Sequence, residues 1–360
     1  MKKILVTPLN WGLGHATRCM PLIQSLQAKG AHVYIASSGN ALSWLKNECR
    51  DITTFEIPDY PISYSKNSQL LPVVKSWKQL HHAITDENQV LNKLQEEFQF
   101  DTVISDNRYG MWHTQTENIF ICHQLRIPLS GILKCLQQPV LKYHLKKIQT
   151  FNQCWIPDVD TANNLSGIMS HDIRHHIPTK YIGWLSRFTA NMNDFDVLHQ
   201  NLLALGPFVC IVVLSGPEPQ RTYLQKIVSE KLAATNYKTL IVQGLPKAQE
   251  IKTLKNITYV SSLNSASLKY WLMCTPVILC RSGYTSLMDL ATLGLKAIVV
   301  PTPGQYEQMY LAQYHHMQKN VWAVNQNHLD IENAFIQYHK IKGFSKAPEP
   351  CFQKAIDVLF

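Results

Sequence analysis

Ile4-Leu5-Val6-Thr7-Pro8-Leu9-Asn10-Trp11-Gly12-Leu13-Gly14-His15 carries a short apolar run into a glycine-rich turn. Ile4 to Val6 reads as a strand, and Gly12 and Gly14 allow a tight turn with bare backbone N–H groups. Ala16, Met20, Ile23 and Leu26 then recur at the helical period until Gly30 ends the helix. Val33-Tyr34-Ile35-Ala36 follows as the next strand. A strand–turn–helix–strand unit of this kind predicts α/β layering around a parallel sheet.

The pattern recurs along the 360 residues. Val103-Ile104, Ile119 to Cys122 and Cys154-Trp155-Ile156 read as further strands of the first half. A second series begins at Phe208, where Val209 to Leu214 is a continuous apolar run, as a parallel strand covered on both faces requires. Leu240 to Val242, Ile257 to Val260, Val277 to Leu279 and Ala297 to Val300 extend it. Asn191 to Asp196 is short and polar, so the junction is expected near residues 184–206. The sequence thus predicts two Rossmann-like α/β domains, residues 1–190 and 191–347, with a terminal helix at 348–360 packing back on the first. Open sheets of this class bind ligands outside the carboxyl ends of their strands, which directs attention to the loops that follow them.

Hydrophobic residues at 46% and charged residues at 16% exclude a disordered chain. Thirty-four Lys+Arg against 25 Asp+Glu give +9, a balance suited to anionic partners. There is no interleaved basic and aromatic stripe, so nucleic acid is not an expected partner. The apolar run after Lys3 is too short for a secretory signal, and no stretch of ~20 apolar residues follows. Nine cysteines without a C-x-x-C pair fit reduced thiols in a cytoplasmic protein. Val140-Leu141-Lys142-Tyr143-His144-Leu145-Lys146-Lys147-Ile148 reads either as an ordinary amphipathic surface helix or as a peripheral contact with the inner face of a membrane.

Chemistry-bearing residues fall at the strand ends. Gly12 and Gly14 offer backbone amides at a helix start, where negative charge is favoured. A nicotinamide site would want a third glycine near Thr17 and an acid where Ser37-Ser38-Gly39 stands. His15 either takes a hydroxyl proton near neutral pH or caps its helix. Asp106, in Ser105-Asp106-Asn107-Arg108-Tyr109-Gly110, would orient a histidine, bind sugar hydroxyls or cap its loop. Ser215 and Gly216 open the second domain's first turn and suit phosphate contact; Arg221 would add charge or lie on the surface. In Cys280-Arg281-Ser282-Gly283-Tyr284-Thr285-Ser286-Leu287-Met288-Asp289-Leu290, Arg281, Ser282 and Gly283 begin a helix whose amides suit a diphosphate. Thr285 adds a hydroxyl, and Asp289 is placed to take a ribose diol. Gln305, Glu307 and Gln308 supply the mixed donors and acceptors a polyhydroxylated sugar needs. Asp158-Val159-Asp160, Asp194-Phe195-Asp196 and the His171, Asp172, His175, His176 group are read as decoys, the last as a solvated face, so neither metal nor cofactor is expected.

These residues resemble a GT-B glycosyltransferase across nearly the whole chain. From Ser215 to about Val321 the chain is similar to the family 28 C-terminal domain, as in peptidoglycan lipid-linked GlcNAc-transferases, through Arg281-Ser282-Gly283, Asp289, Gly294, Val300-Pro301 and Gln308. Gly12-Leu13-Gly14-His15-Ala16-Thr17-Arg18 is similar to the G-x-G-H-x-x-R variant of a related bacterial group. The departures are Ser215-Gly216-Pro217 for Gly-Gly-Ser, Asp289 for Glu and Met309 for a second Gln, positions that bear on the donor sugar and base. The resemblance implies ribose binding by Asp289 and ribose or sugar contact by Gln308 with Glu307 beside it. It also implies diphosphate binding by Ser215, Gly216, Ser282 and Gly283, with His15 facing the acceptor. The function it implies is metal-independent, inverting transfer of a hexosyl or N-acetylhexosaminyl group from a UDP-sugar. His15 would be the base and Asp106 the second choice. A UDP-sugar 2-epimerase and a non-catalytic nucleotide-sugar or glycan-binding protein are the alternatives. The acceptor stays open among glycan, lipid-linked and small-molecule classes. Tyr60 to Trp77, aromatic and Pro-punctuated, either lines its mouth or packs as a loop.

Overall fold

The apolar runs fold into two sheets in the computed structural model, which describes residues 1–60, 71–129, 131–189, 194–246, 248–345 and 352–360. The first lobe runs β1 (Lys3–Pro8), α1 (Gly14–Ala28), β2 (His32–Ser37), α2 (Gly39–Glu48), β3 (Thr53–Glu56), α3 (Leu71–Phe98), β4 (Thr102–Asp106), β5 (Glu117–Ile121), α4 (Gln137–Ile148), β6 (Gln153–Ile156) and β7 (Thr179–Tyr181). Helix α5 (Val197–Leu205) leads into the second lobe. There β8 (Cys210–Val213), α6 (Gln220–Ala233), β9 (Thr239–Val242), β10 (Ile251–Leu254), β11 (Ile257–Val260), α7 (Ser265–Cys274) and β12 (Val277–Cys280) precede α8 (Tyr284–Thr292). Strand β13 (Ala297–Val299), α9 (Tyr306–Met317), β14 (Val321–Ala323), α10 (Ile331–Tyr338) and α11 (Phe352–Asp357) complete the chain.

Each sheet has seven strands, ordered β3-β2-β1-β4-β5-β6-β7 and β10-β11-β9-β8-β12-β13-β14. All neighbours are parallel except the β10–β11 hairpin. Ile4, Leu5 and Val6 are wholly buried, Ile4 and Val6 in one apolar layer and Leu5 in the other. That alternation is why a central parallel strand must be apolar on both faces. Strand order reverses beside β1 and beside β8, and at such switch points the loops diverge and leave a crevice. Asp106 ends β4, and Gly12 to His15, Ser215-Gly216 and Arg281 to Gly283 follow the other strands at these two points.

Four strands have no counterpart in the sequence reading: β3, β7, β10 and β14. All four are sheet edges, half-exposed along most of their length, so the apolar signal that marks a buried strand is missing. Gly30, at φ +81°, ends α1 by donating to the Gln27 carbonyl at 2.9 Å. Helix α11 packs on α1, with Phe352, Ala355 and Ile356 buried, Gln353 donating to Ser25 Oγ at 3.3 Å and Asp357 paired with Lys29 at 2.6 Å. Within the basic-apolar stretch, α4 buries Leu141, His144 and Ile148 and exposes Lys142 and Lys146. Among the described residues no helix is long and apolar enough to cross a membrane. Residues 61–70 of the aromatic stretch after Tyr60, residues 191–193 of the junction and residues 348–351 of the terminal helix lie outside the described residues.

Candidate active site

A cavity of about 1200 Å³ lies between the lobes. The turn from β1 to α1 and the loops after β4 and β5 line one wall; the turn after β8 and the starts of α8 and α9 line the other. Gly12 (φ +66°) and Gly216 (φ +99°) face each other across it, a methyl built on Gly12 falling 4.0 Å from the Gly216 Cα. Both turns need the left-handed backbone that glycine adopts freely.

His15 stands in the first turn of α1, its Nδ1 3.0 Å from Asp106 Oδ1 at the end of β4. Arg18, three residues on and so on the same helix face, lays its guanidinium along the same carboxylate. Its Nε donates to Oδ2 at 2.6 Å, and its Nη2 pairs with Oδ1. Nη2 is also 3.0 Å from His15 Nδ1, and because Arg18 can only donate, the two donors converge on the carboxylate in the tautomer that protonates Nδ1. In that tautomer Nδ1–H donates to Asp106 and Nε2 is left as an unprotonated base. The network continues. Arg18 Nη1 donates to His123 Nδ1 at 2.8 Å, and His123 Nε2 donates to Glu307 Oε1 at 3.1 Å, across the cleft in the first turn of α9. The His123 ring stacks on Tyr284 of α8 at 4.1 Å and 15°.

Burial alone would push the Asp106 carboxyl up, but Arg18 and His15 outweigh it and hold it well below the usual carboxylate range. Burial takes His15 below its ordinary 6.5, reinforced by Arg18 and His123 against the pull of Asp106. The ring is therefore neutral at pH 7. Burial would also raise Glu307, yet His123 beside it keeps that carboxyl lowered and ionised. Asp106 is wholly buried with both oxygens engaged, which corrects its reading as a second-choice base: it orients His15.

On the second lobe's wall, Gly283 is the N-cap of α8 and carries no side chain to cap that helix, and the first turn of α8 borders the cavity. Gly14, Ser215, Gly216, Thr285, Asp289, Gln305, Glu307 and Gln308 also border the cavity. Several turn differently from the sequence reading. Ser282 is wholly buried and donates to the Gln308 carbonyl at 2.8 Å, stitching α8 to α9. Arg281 is wholly buried, donating to the Val300, Pro301 and Gln220 carbonyls at 3.1, 3.3 and 2.9 Å, and burial lowers its pKa to about 10. It clamps backbone and does not face a phosphate. Thr285 gives its hydroxyl to the Gly14 carbonyl at 3.2 Å, joining the lobes. Asp289 accepts from Ser186 Oγ at 2.6 Å and pairs with Arg187 at 3.3 Å; burial pushes its carboxyl up. Gln308 accepts from the Thr302 amide at 2.9 Å, and the N-cap of α9 is Gln305, whose Oε1 is buried without a partner. Glu307 is held by His123, where a sugar contact was expected.

Sequence reasoning missed the roles of Arg18 and His123. The only traces were an Arg one helical turn after His15 and a His just past a strand end. The decoys have structural work. Asp158 is wholly buried and accepts from the amides of Leu165 and Ser166 at 3.0 and 2.8 Å. His171 leans on it at 3.6 Å with its side chain only 13% exposed, so this histidine is not on a solvated face. Asp196 caps α5, and Arg221 lies buried at the start of α6 on Glu218 and the Gln243 carbonyl. Among the described residues no group of three or more His, Cys, Asp and Glu is placed to hold a metal.

Residues 210–350 match the glycosyltransferase family 28 C-terminal domain. Among solved structures the chain is similar to MurG of Acinetobacter baumannii, at 12% identity and TM-score 0.55 over 99% of both chains. It is similar to the spinosyn rhamnosyltransferase SpnG complexed with thymidine diphosphate, at 15% identity and TM-score 0.60, covering 100% of this chain and 95% of that one. The spinosyn forosaminyltransferase SpnP aligns at 14% identity and TM-score 0.59, over 99% and 93%. No curated protein matches. Identities this low establish shared architecture, and the two sheets and interlobe cleft agree with it. The chain has the GT-B glycosyltransferase fold, with a family 28-type C-terminal domain in its second half.

Proposed function

We propose that the protein transfers a sugar from a nucleoside diphosphate sugar, UDP-linked by its family 28 resemblance, to an acceptor hydroxyl. The observation that carries the reading is a single juxtaposition. A His–Asp dyad with a free imidazole nitrogen shares one cavity with the uncapped start of α8 and the Gly216 turn. The acceptor proton passes to His15 Nε2 as the acceptor oxygen bonds the anomeric carbon. The bond from that carbon to the diphosphate breaks, and the nucleoside diphosphate leaves with its electron pair. Amides at Gly216 and the α8 start, at the positive end of the helix, take up the charge that a divalent ion would otherwise neutralise. Asp106 stabilises the imidazolium that forms. One displacement inverts the anomeric centre. Asp289 would receive the ribose by exchanging the Ser186 hydroxyl. A cytoplasmic, membrane-peripheral setting belongs to the same reading and rests on the free thiols and the net charge of +9.

The test is a product assay with UDP-hexoses and UDP-N-acetylhexosamines, preceded by a thermal-shift panel, since ligands that bind the native state raise its melting temperature. Release of UDP only when acceptor is present supports transfer. A sugar isomerised with UDP still attached would make the protein an epimerase and overturn the proposal.

A further inference from the structure

The wall beside His15 holds two aromatic rings in unusually fixed positions. Tyr60 and Tyr109 lie parallel within 7°, centroids 6.4 Å apart, and both border the cavity. Behind them Arg108 and Glu87, both wholly buried, pair at 2.5 Å. Arg108 also donates to the Pro8 and Pro58 carbonyls and Ser38 Oγ, which leaves Glu87 Oε2 to accept from the Tyr60 hydroxyl at 2.6 Å. That hydroxyl in turn accepts from the Tyr109 amide at 2.7 Å, while the Tyr109 hydroxyl and His144 Nδ1 are 2.7 Å apart. A buried ion pair costs desolvation and is weak evidence of stability, so its use here is read from what it fixes: the two rings. Rings locked before binding lose little entropy on receiving a ligand.

The chemistry of this wall is specific. Trp11 and Leu80 pack in the same apolar cluster and Ile127 also borders the cavity, with Trp11 on the His15 turn and Tyr109 three residues past Asp106. Both tyrosine hydroxyls, the groups that would hydrogen-bond a sugar's ring hydroxyls, are consumed by internal partners. Among the described residues lining the cavity there is no lysine. Of its arginines, Arg18 is committed to Asp106, Arg187 pairs with Asp289, and Arg50 stands beyond the end of α2. The tyrosine pair itself offers a flat apolar body its partners, and the polar side chains bordering the cavity beside it are the uncharged amides of Asn107 and Gln124.

We propose that Tyr60 and Tyr109, with Trp11, Leu80 and Ile127, form an acceptor subsite for an uncharged phenolic or fused-ring alcohol. The inference rests on the transferase reading of the cleft and names its acceptor class. The ring body lies on the tyrosine pair and its hydroxyl points to His15.

The experiment is calorimetric titration of the full-length protein with umbelliferone, methyl β-D-glucopyranoside and farnesyl phosphate, and separately with UDP. Umbelliferone should bind saturably and the other two not. Tyr109→Ala and Leu80→Lys should each weaken umbelliferone about tenfold or more while UDP affinity stays within about twofold. Leu80 is only half-buried, so its variant keeps the test open if Tyr109→Ala fails to fold. Stronger binding of the glucoside or of farnesyl phosphate overturns the proposal, as does unchanged umbelliferone affinity in both variants. Umbelliferone binding without UDP binding upholds the subsite and counts instead against sugar transfer; UDP binding without umbelliferone binding does the reverse.

Discussion

His15 owes its free Nε2 to Asp106, and Asp106 owes its charge in a wholly buried position to Arg18. His15→Ala should lower turnover by about 10²–10⁴-fold, the usual contribution of a positioned base, with UDP affinity nearly unchanged. Because burial lowers the His15 pKa, the acid limb of kcat/KM should lie below 6.5, with rate rising with pH as the ring deprotonates and level at neutrality. A pH–rate profile reads this directly. Asp106→Asn should cost about 3–5 kcal/mol in denaturant melts, since Arg18 is left buried beside a neutral group. The native Asp106 carboxyl is depressed, so its stabilisation is full above the unfolded value of about 3.9 and is lost as pH falls through the folded one. The wild-type advantage over Asp106→Asn should therefore shrink in melts at acid pH. His15 and Asp106 were legible because a glycine turn and a strand end fix where their backbones lie. Their pairing spans 91 residues, and the His123–Glu307 link spans 184, distances over which local spacing carries no information. Arg281 and Ser282 were misread for a related reason. A motif places the backbone of a turn, while neighbouring carbonyls decide which way the side chain points.

At the scale of elements, α8 has an N-cap with no capping side chain: Gly283 contributes only its carbonyl, which accepts from the Leu287 amide at 3.0 Å. Gly283 has ordinary φ and ψ of −69° and 146°, and a methyl there would come no closer than 4.0 Å to Gln308 Nε2, so a side chain fits without strain. Gly283→Asp should cap α8 and raise apo stability by a few tenths of a kcal/mol. The same carboxylate would stand where the diphosphate binds, so UDP affinity should fall about tenfold or more. A rise in melting temperature accompanied by unchanged UDP affinity would remove the α8 start from the donor site. The helix periods were readable because one face of each helix is apolar, and the buried strands because both of their faces are. The edge strands β3, β7, β10 and β14 were not, because pairing with one neighbour is possible without an apolar run.

In the whole molecule the lobes are joined by hydrogen bonds that no single motif contains. Tyr284 donates to the Pro157 carbonyl at 2.8 Å, the Ile168 amide to the Tyr310 hydroxyl at 3.0 Å, and His315 Nε2 to the Leu165 carbonyl at 2.9 Å. The His123–Glu307 bond adds the dyad's own network to this seam. His123→Phe keeps a ring to stack on Tyr284 and removes both polar links. It should lower kcat about tenfold or more with little change in donor KM, whereas His123→Gln, which can accept from Arg18 and donate to Glu307, should recover most of the loss. Steady-state kinetics on the two variants separates a positioning role from packing. The measurement closest to the centre of the proposal is a crystal structure of the UDP complex. The expected density has its diphosphate between Gly216 and the first-turn amides of α8, with the terminal phosphate on the side of His15 Nε2. A diphosphate seated away from the α8 start, or a cleft empty at saturating UDP, would contradict it.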